Sequence, residues 1–477
     1  MFVDMSGKCG GWIYWLLKAW RIRMKFRITK EKEFYRRVFL IMLPVAAQQA
    51  INMGVNMMDT IMLGNFGEVQ LSASSLANSF YMLYGILCMG IIGGCSVLVS
   101  QYWGAGNLEK AREVFSLAFR LAAVLGFAFA IVTWLIPGTI MQLFTSDPEV
   151  IEAGVRYLKI TAFIYMIHGT SQVVAFLMRS VRQAQLGLYV SIISFFANIF
   201  ANWVFIFGKL GAPRMEIAGA ALGTLIARCV EFLVTFLYVL KIDQKLKLKV
   251  SDFLHNPERS LYRKYFQVGA PALVSDGLLG LGSTAISMVL GRMGSDVVAA
   301  NSICMVVDRL FTVVVQGISN ASGIITGNTI GEGKPDKAQE QGETFYLLSI
   351  LCGILSTILV SIGGPLTIRL YNLQPETITV TKSMMYAYAV VMFFSAVQSI
   401  MTKGVLRGGG DTKFLLKADV LFMWLVSIPL GILAGLVLHA PGWVAVICLR
   451  IDFAIKSIWC VSRLKSGKWI KNITVET

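Results

Sequence analysis

Six acidic side chains lie inside long apolar stretches of the sequence, where a charge is costly. They are Asp59, Glu231, Asp276, Asp308, Asp419 and Asp452. An ionisable group within a membrane span costs at least ~2.5 kcal/mol on insertion scales, so each needs a partner, a water-filled cavity or a function. Asp59 is the first candidate for a function, because polar residues of two later apolar segments fall at a similar depth.

The predicted cation site consists of Asp59 with Asn198, Asn202 and Thr224. At about 1.5 Å per helical residue, Asp59 lies about 6 Å below one membrane surface, and Asn202 and Thr224 lie about 9 Å below it. Asn198 is one helical turn from Asn202, on the same face. Carboxylate, amide and hydroxyl oxygens suit a sodium ion, and a carboxyl group in an apolar setting can take a proton instead. The alternative is a structural Asp59 that bonds to a neighbouring turn.

Five further residues are candidates for contacts to a substrate. They are the acids Asp276 and Asp308 and the aromatic residues Tyr81, Tyr84 and Tyr388. Carboxylates that face a central cleft would attract a cationic compound, and tyrosine rings can supply cation–π contacts. The structural alternatives are a protonated or salt-bridged acid for each aspartate and helix packing for each tyrosine.

The composition indicates which type of secondary structure positions these residues. Of 477 residues, 56% are hydrophobic and only 15% are charged, and the mean hydropathy is +0.67. Soluble proteins average roughly 45–50% apolar and 25% charged residues. Twelve apolar segments of about 20 residues, each able to span a bilayer, fit this composition. The apolar runs are continuous rather than alternating, which favours helices over a transmembrane β-barrel. We therefore expect an all-α polytopic membrane protein with twelve transmembrane helices.

Motifs of metal or nucleotide enzymes do not occur in the sequence. There is no HExxH, no pair of cysteines has CxxC spacing, and residues 327–334 miss the GxxxxGK[ST] phosphate loop. We expect no enzymatic activity, no cofactor and no metal other than a coupling sodium ion.

The basic residues are distributed unevenly between the predicted connections. Lys and Arg number 29 on the side that holds both termini and 5 on the other side. By the positive-inside rule both termini should be cytoplasmic, in a multi-pass protein of the plasma membrane. This bias accounts for most of the net charge of +16, so nucleic acid is not an expected partner. The expected partners are membrane lipid and a small-molecule substrate, and we expect a monomer.

An internal repeat divides the chain. A shift of 227 residues aligns 34–111 with 261–338 without a gap, with 16 identities in 78 positions. Each half holds six spans, so the repeats are parallel and form two pseudo-symmetric six-helix bundles. The predicted domains are a basic amphipathic N-terminal segment (1–33), a first lobe (34–240), a cytoplasmic linker (241–267), a second lobe (268–462) and a cytoplasmic tail (463–477).

Several ordered motifs resemble those of the multidrug and toxic compound extrusion (MATE) transporters. They are the paired stretches 97–107 and 323–333, with 59–64, Asn198-xxx-Asn202, 219–224 and 406–412. The resemblance covers about 34 to 465 and implies a proton- or sodium-driven exporter with two six-helix lobes. It also implies a cation site built from the acid of the first helix and polar groups of the fifth and sixth. Asn202 stands where some proton-coupled relatives have a second acid, which leaves the ion open.

The resulting hypothesis is a cation-coupled antiporter that exports amphipathic, cationic drugs or metabolites by alternating access. The alternatives are a lipid-linked oligosaccharide flippase of the same superfamily and a non-transporting membrane scaffold. A flippase would need a cationic cleft, and the sequence offers few cations in mid-span besides Arg228 and Arg309. The exporter is therefore favoured.

Overall fold

The computed structural model describes residues 26–64, 67–254, 256–368 and 375–474. Twelve membrane-spanning helices, as predicted, form two six-helix lobes. The first lobe contains α1 (Lys32–Gly64), α2 (Glu68–Gly104), α3 (Leu108–Leu135), α4 (Pro148–Ser180), α5 (Gln185–Phe207) and α6 (Glu216–Leu237). The second contains α7 (Arg259–Gly291), α8 (Ser295–Gly331), α9 (Pro335–Ile368), α10 (Pro375–Leu406), α11 (Thr412–Val437) and α12 (Gly442–Leu449 with Ile451–Lys465).

Length and apolar composition explain why most of these segments are membrane helices. Within the described residues, ten helices are long and apolar enough to cross a bilayer. The other two spans, α6 and α12, carry charged residues well inside them. Helix α6 carries Arg228 and Glu231, and α12 is interrupted at Arg450 and carries Asp452 and Lys456. The charges that weaken these two spans as hydrophobic segments therefore need partners inside the protein.

Equivalent glycines give the two lobes equivalent turns. Gly106 and Gly333, which the repeat aligns, have φ angles of 74° and 72°. Gly67 and Gly294, which precede α2 and α8, have φ angles of 113° and 121°. These conformations are readily adopted only by glycine, so the repeat is visible in the backbone as well as in the sequence.

The lobes meet where α2 and α8 cross. A Cβ on Gly104 would lie 2.0 Å from the backbone oxygen of Asn328, and a Cβ on Gly331 would lie 2.0 Å from that of Gln101. The two contacts are related by the same 227-residue shift, as expected for a pseudo-two-fold axis. Further along α2, Gly90 packs on Leu273 of α7. Small residues therefore let the backbones of the two lobes approach closely.

Both ends of the described chain pack at one end of the helix bundle, which we call the terminal face. The backbone N–H of Thr29 donates to Thr344 Oγ1 at 3.0 Å, at the start of α9. The N–H of Ile473 donates to Gln101 Oε1 at 2.9 Å, near the crossing of α2 and α8. Residues 1–25 of the predicted amphipathic segment lie outside the described residues. Helix α7 begins at Arg259, inside the stretch predicted as linker.

Polar side chains line the opposite halves of the interface helices, toward the end that we call the far face. Asn52, Asn56 and Thr60 are exposed at four-residue intervals on α1, and Ser75 and Ser79 on α2. Helix α1 contacts Gly317 of α8 through Met42, and α2 contacts α8 through Gly104, in both cases in the half of the helix nearer the terminal face. Exposed polar stripes on such helices are unsuited to lipid. They indicate an aqueous cleft between the lobes that opens at the far face.

Candidate functional site

Three of the four predicted cation-site residues are in contact in the first lobe. Asn202 Nδ2 donates to Asp59 Oδ1 at 2.6 Å and to Asn198 Oδ1 at 3.2 Å. Asp59 is half-buried, whereas Asn198 and Asn202 are 1% and 0% exposed. A carboxylate that is partly accessible, backed by two buried amides, can exchange a cation with the cleft. The hydrogen bond that Asp59 accepts comes from a neutral amide, so its negative charge is not neutralised by that contact.

Glycine at position 223 permits this arrangement. A Cβ at Gly223 of α6 would lie 2.1 Å from Asn202 Oδ1, so α5 and α6 can approach only because that side chain is absent. Thr224 lies beside Gly223, but its hydroxyl donates to the Ala220 oxygen of its own helix at 3.0 Å. Thr224 therefore lies next to the site. Because its proton is used within its own helix, only the lone pairs of its hydroxyl oxygen are left to contact a cation.

A buried ion pair lies on α6 one turn beyond Thr224. Arg228 Nη1 contacts Glu231 Oε2 at 2.6 Å, and Ser171 Oγ donates to Glu231 Oε1 at 3.3 Å. Arg228 is also close enough to interact electrostatically with Asp59. His168 of α4 reaches the same carboxylate, with Nδ1 3.4 Å from Glu231 Oε1. His168 was not predicted as a site residue, because in the sequence it is an isolated histidine within an apolar helix.

The two tyrosines predicted on α2 lie in the aromatic interior of the first lobe. Tyr84 is fully buried, and its hydroxyl donates to the Tyr165 backbone oxygen at 2.6 Å. Tyr81 is half-buried, with its ring 5.8 Å from that of His168. Tyr84 thus packs α2 against α4, whereas Tyr81 borders the polar group around Glu231.

The predicted residues of the second lobe form separate contacts. Asp276 makes a two-pronged ion pair with Arg407, the residue directly after α10, at 2.8 Å and 3.1 Å, beside Gly93 of α2. The Tyr388 hydroxyl donates to Asn301 Oδ1 at 2.7 Å. Asp308 is half-buried and interacts electrostatically with Arg450. The structure does not bring these residues into contact with the Asp59 site.

Asp59 differs from most acids in the spans in lacking a basic partner. Glu231 pairs with Arg228, Asp276 with Arg407, and both Asp419 and Asp452 with Lys456. Among the described residues, Asp59 and Asp308 form no ion pair within 4.0 Å. Only Asp59 is also held by a cluster of buried amides. It is therefore the best-placed carboxylate for a mobile cation.

A transition-metal site needs several His, Cys, Asp or Glu side chains close together. No group of three or more His, Cys, Asp or Glu residues that could hold a metal ion occurs in the described part of the chain. The oxygens of Asp59, Asn198 and Asn202 are hard ligands, of the kind that suit sodium or a proton rather than a softer metal.

Comparison with known proteins identifies relatives along nearly the whole chain. Residues 44–204 and 271–433, one stretch in each lobe, match the MatE family model. Multidrug resistance protein NorM of Aliivibrio fischeri is 24% identical over 85% of this chain and 88% of its own length. The probable multidrug resistance protein NorM of Thermotoga maritima is 24% identical, with 92% and 94% covered.

Solved structures show the same fold. A multidrug resistance MATE family transporter of the MOP superfamily in an outward-facing conformation superposes with a TM-score of 0.81 and 18% identity, covering 93% of this chain and 99% of the other. A MOP superfamily transporter from Pyrococcus furiosus, described as having a binding pocket of reverse polarity, gives the same TM-score, identity and coverage.

Proposed function

Because the chain belongs to the MatE family of transporters, we propose that it exports amphipathic, cationic drugs or metabolites in exchange for an inward-moving proton or sodium ion. The observation that carries this proposal is Asp59, a carboxylate that has an amide donor but forms no ion pair with any basic residue in the described part of the chain. A carboxylate neutralised by Arg or Lys has little need of a mobile cation. The negative charge of Asp59 is not neutralised in this way, so it remains available to bind a mobile cation.

The exchange depends on two access states. With the cleft open at the far face, Asp59 takes up the external cation and loses its negative charge. The rearrangement that follows lowers affinity for a cationic substrate, which leaves outward. An ion gradient can bias this cycle only because the ion and the substrate have different affinities for the two states. The close glycine contacts between the lobes near the terminal face mark the closed side of the present state.

The proposed setting is a plasma membrane, with the terminal face in the cytoplasm, consistent with the excess of Lys and Arg on that side. The far face then opens outward, which is the direction required for export. We further propose that the protein works as a monomer surrounded by lipid, since each lobe already supplies its own half of the cleft.

Exchange in proteoliposomes tests the proposal, with pH and sodium gradients imposed separately and ethidium as the substrate. We expect one of the gradients to drive ethidium transport and Asp59→Asn to reduce the driven rate about 10- to 100-fold. That range corresponds to the roughly 1.5–3 kcal/mol of a charge-assisted contact. The control is Glu152→Gln, because the Glu152 side chain is 76% exposed and, among the residues that the structure describes, pairs only with Arg156.

Two results would contradict the proposal. Equal driven rates for Asp59→Asn and Glu152→Gln would show that Asp59 does not couple the ion to transport. Absence of ethidium exchange by the wild type in both gradients would show that the protein does not export this class of compound.

A further inference from the structure

The last described residues of the chain, 467–474, run across the terminal face, and we call them the tail strap. Helix α12 ends at Lys465, and Gly467, with a φ angle of 66°, turns the chain away from the helix axis. Glycine adopts this left-handed conformation without strain, which is why it commonly follows the end of a helix. The turn directs the strap across the terminal face instead of away from the bundle.

The first part of the strap is fixed to the second lobe. Trp469 is 0% exposed, and its Nε1 donates to Gln339 Oε1 of α9 at 2.8 Å. The backbone N–H of Lys471 donates to the Gly409 oxygen at 2.9 Å, in the loop that follows α10. The Lys471 side chain pairs with Asp411 at the end of the same loop. A buried ring, a backbone hydrogen bond and an ion pair therefore hold this part of the strap to the second lobe.

The last part of the strap reaches the first lobe at Gln101 of α2. Gln101 is 0% exposed; its Nε2 donates to the Lys471 oxygen at 3.0 Å, and its Oε1 accepts from the Ile473 N–H at 2.9 Å. Nε2 also donates to the Gly408 oxygen of the second lobe at 3.3 Å. The Ile473 side chain packs against the buried apolar cluster that includes residues of α2, α3 and α4. The strap therefore bridges the two lobes.

The bridge lies at the crossing of α2 and α8, where the terminal face is closed. Gln101 approaches Gly331 of α8 there, and on the same face Arg182, between α4 and α5, reaches Glu332 at 3.6 Å. A cleft that opens at the terminal face requires the lobes to separate at this crossing. Separation carries Gln101 away from a strap that is fixed to the second lobe. Contacts that exist in only one of two states favour that state.

We propose that the tail strap is a latch that holds the terminal face closed and must release Gln101 before the cleft can open on that side. This inference rests on the alternating access of the proposed function, and it adds an element that sets the balance between the two access states. The three hydrogen bonds of the Gln101 amide form when the terminal face is closed. A buried amide that loses its partners is unfavourable, so a weakened strap makes the closed terminal face less stable.

Double electron–electron resonance in lipid nanodiscs tests the latch, with spin labels attached through unnatural amino acids at positions 109 and 336. Both positions are exposed, lie in the first turns of α3 and α9, and are equivalent in the repeat. A chain that ends after Asn472 loses the Ile473 contacts but keeps Trp469. Its ratio of widely to closely spaced labels should rise about tenfold, as for the loss of a buried hydrogen bond with its packing. The matched control ends after Thr474 and should give the wild-type ratio.

Gln101→Leu is the second variant, because leucine keeps an apolar side chain of similar size and removes all three hydrogen bonds. It should shift the ratio by a similar factor, and combining it with the chain that ends after Asn472 should add little, since both changes remove one shared contact. The distances are compared at a temperature where thermal unfolding shows every variant to be folded.

Two results would overturn the latch: equal ratios in the chains that end after Asn472 and after Thr474, or fully additive shifts in the combined variant. Failure of the proposed function would be seen separately, as the absence of ethidium exchange by the wild type, which is measured without labels.

Discussion

Gly223→Ala gives a sharp test of the geometry at the cation site, because it adds one methyl group at the closest approach of α5 and α6. The new Cβ would lie 2.1 Å from Asn202 Oδ1 and 3.1 Å from the Asn202 backbone nitrogen. Ordinary Cβ contacts begin at 3.4 Å, so the amide must move by 1.3 Å, the difference between 3.4 and 2.1. The Asn202–Asp59 hydrogen bond is 2.6 Å long, and a displacement of that size disrupts it.

The expected cost has two parts. Overpacking between the helices lowers the free energy of unfolding by about 1–3 kcal/mol. Loss of a hydrogen bond to a charged group removes about 1.5–3 kcal/mol of stabilisation at the ion site, which corresponds to a transport rate roughly 10- to 100-fold lower. Gly85→Ala is the matched control, because a Cβ there meets nothing within 4 Å. In a helix, that substitution is expected to be neutral or stabilising.

Ethidium transport per reconstituted protein and thermal unfolding in detergent measure the two parts separately. The reasoning predicts that Gly223→Ala loses most transport even at temperatures where it remains folded, while Gly85→Ala keeps both properties. If Gly223→Ala transports at the rate of Gly85→Ala, the contact between Asn202 and Asp59 does not matter for coupling.

Two further predictions concern the lobes. Gly104→Ala and Gly331→Ala each put a Cβ 2.0 Å from a backbone oxygen of the opposite lobe, so both should lower ethidium transport, by about tenfold and to a similar extent; strongly unequal effects would argue against a symmetric crossing. Lys456→Met should lower the free energy of unfolding by about 3–5 kcal/mol, because it leaves Asp419 and Asp452 buried without a cation. Adding Asp419→Asn and Asp452→Asn should restore most of the thermal stability, and failure of this rescue would show that the charges are not the cause.

The features that the sequence predicted well are those that depend on periodicity within a helix or on the repeat. Counting residues from the ends of the predicted helices gave Asp59 and Asn202 similar depths in the membrane. The structure places the two side chains in contact. Arg228 and Glu231 are three residues apart on one helix, a spacing at which side chains can meet, and the structure pairs them at 2.6 Å.

What the sequence could not predict depends on which helices touch. Asp419 has Lys417 two positions away in the sequence, yet it pairs with Lys456 of α12 at 2.7 Å. The approach of His168 to Glu231 likewise depends on how α4 packs against α6. Spacing along one helix carries no information about such contacts between helices.

The repeat also shows a place where the electrostatics of the two lobes differ. At the end of the fourth helix of each lobe an arginine holds the first helix of that lobe. Arg179 donates to Gln48 at 2.5 Å, and Arg407 contacts Asp276 at 2.8 Å. In the second lobe this structural contact uses a carboxylate, Asp276, whose charge is neutralised by Arg407. The first lobe makes a similar contact with a neutral amide, although Gln48 aligns with Ser275 rather than with Asp276 in the repeat. Two copies of one bundle have therefore acquired different electrostatics at this contact, a charged pair in the second lobe and a neutral acceptor in the first.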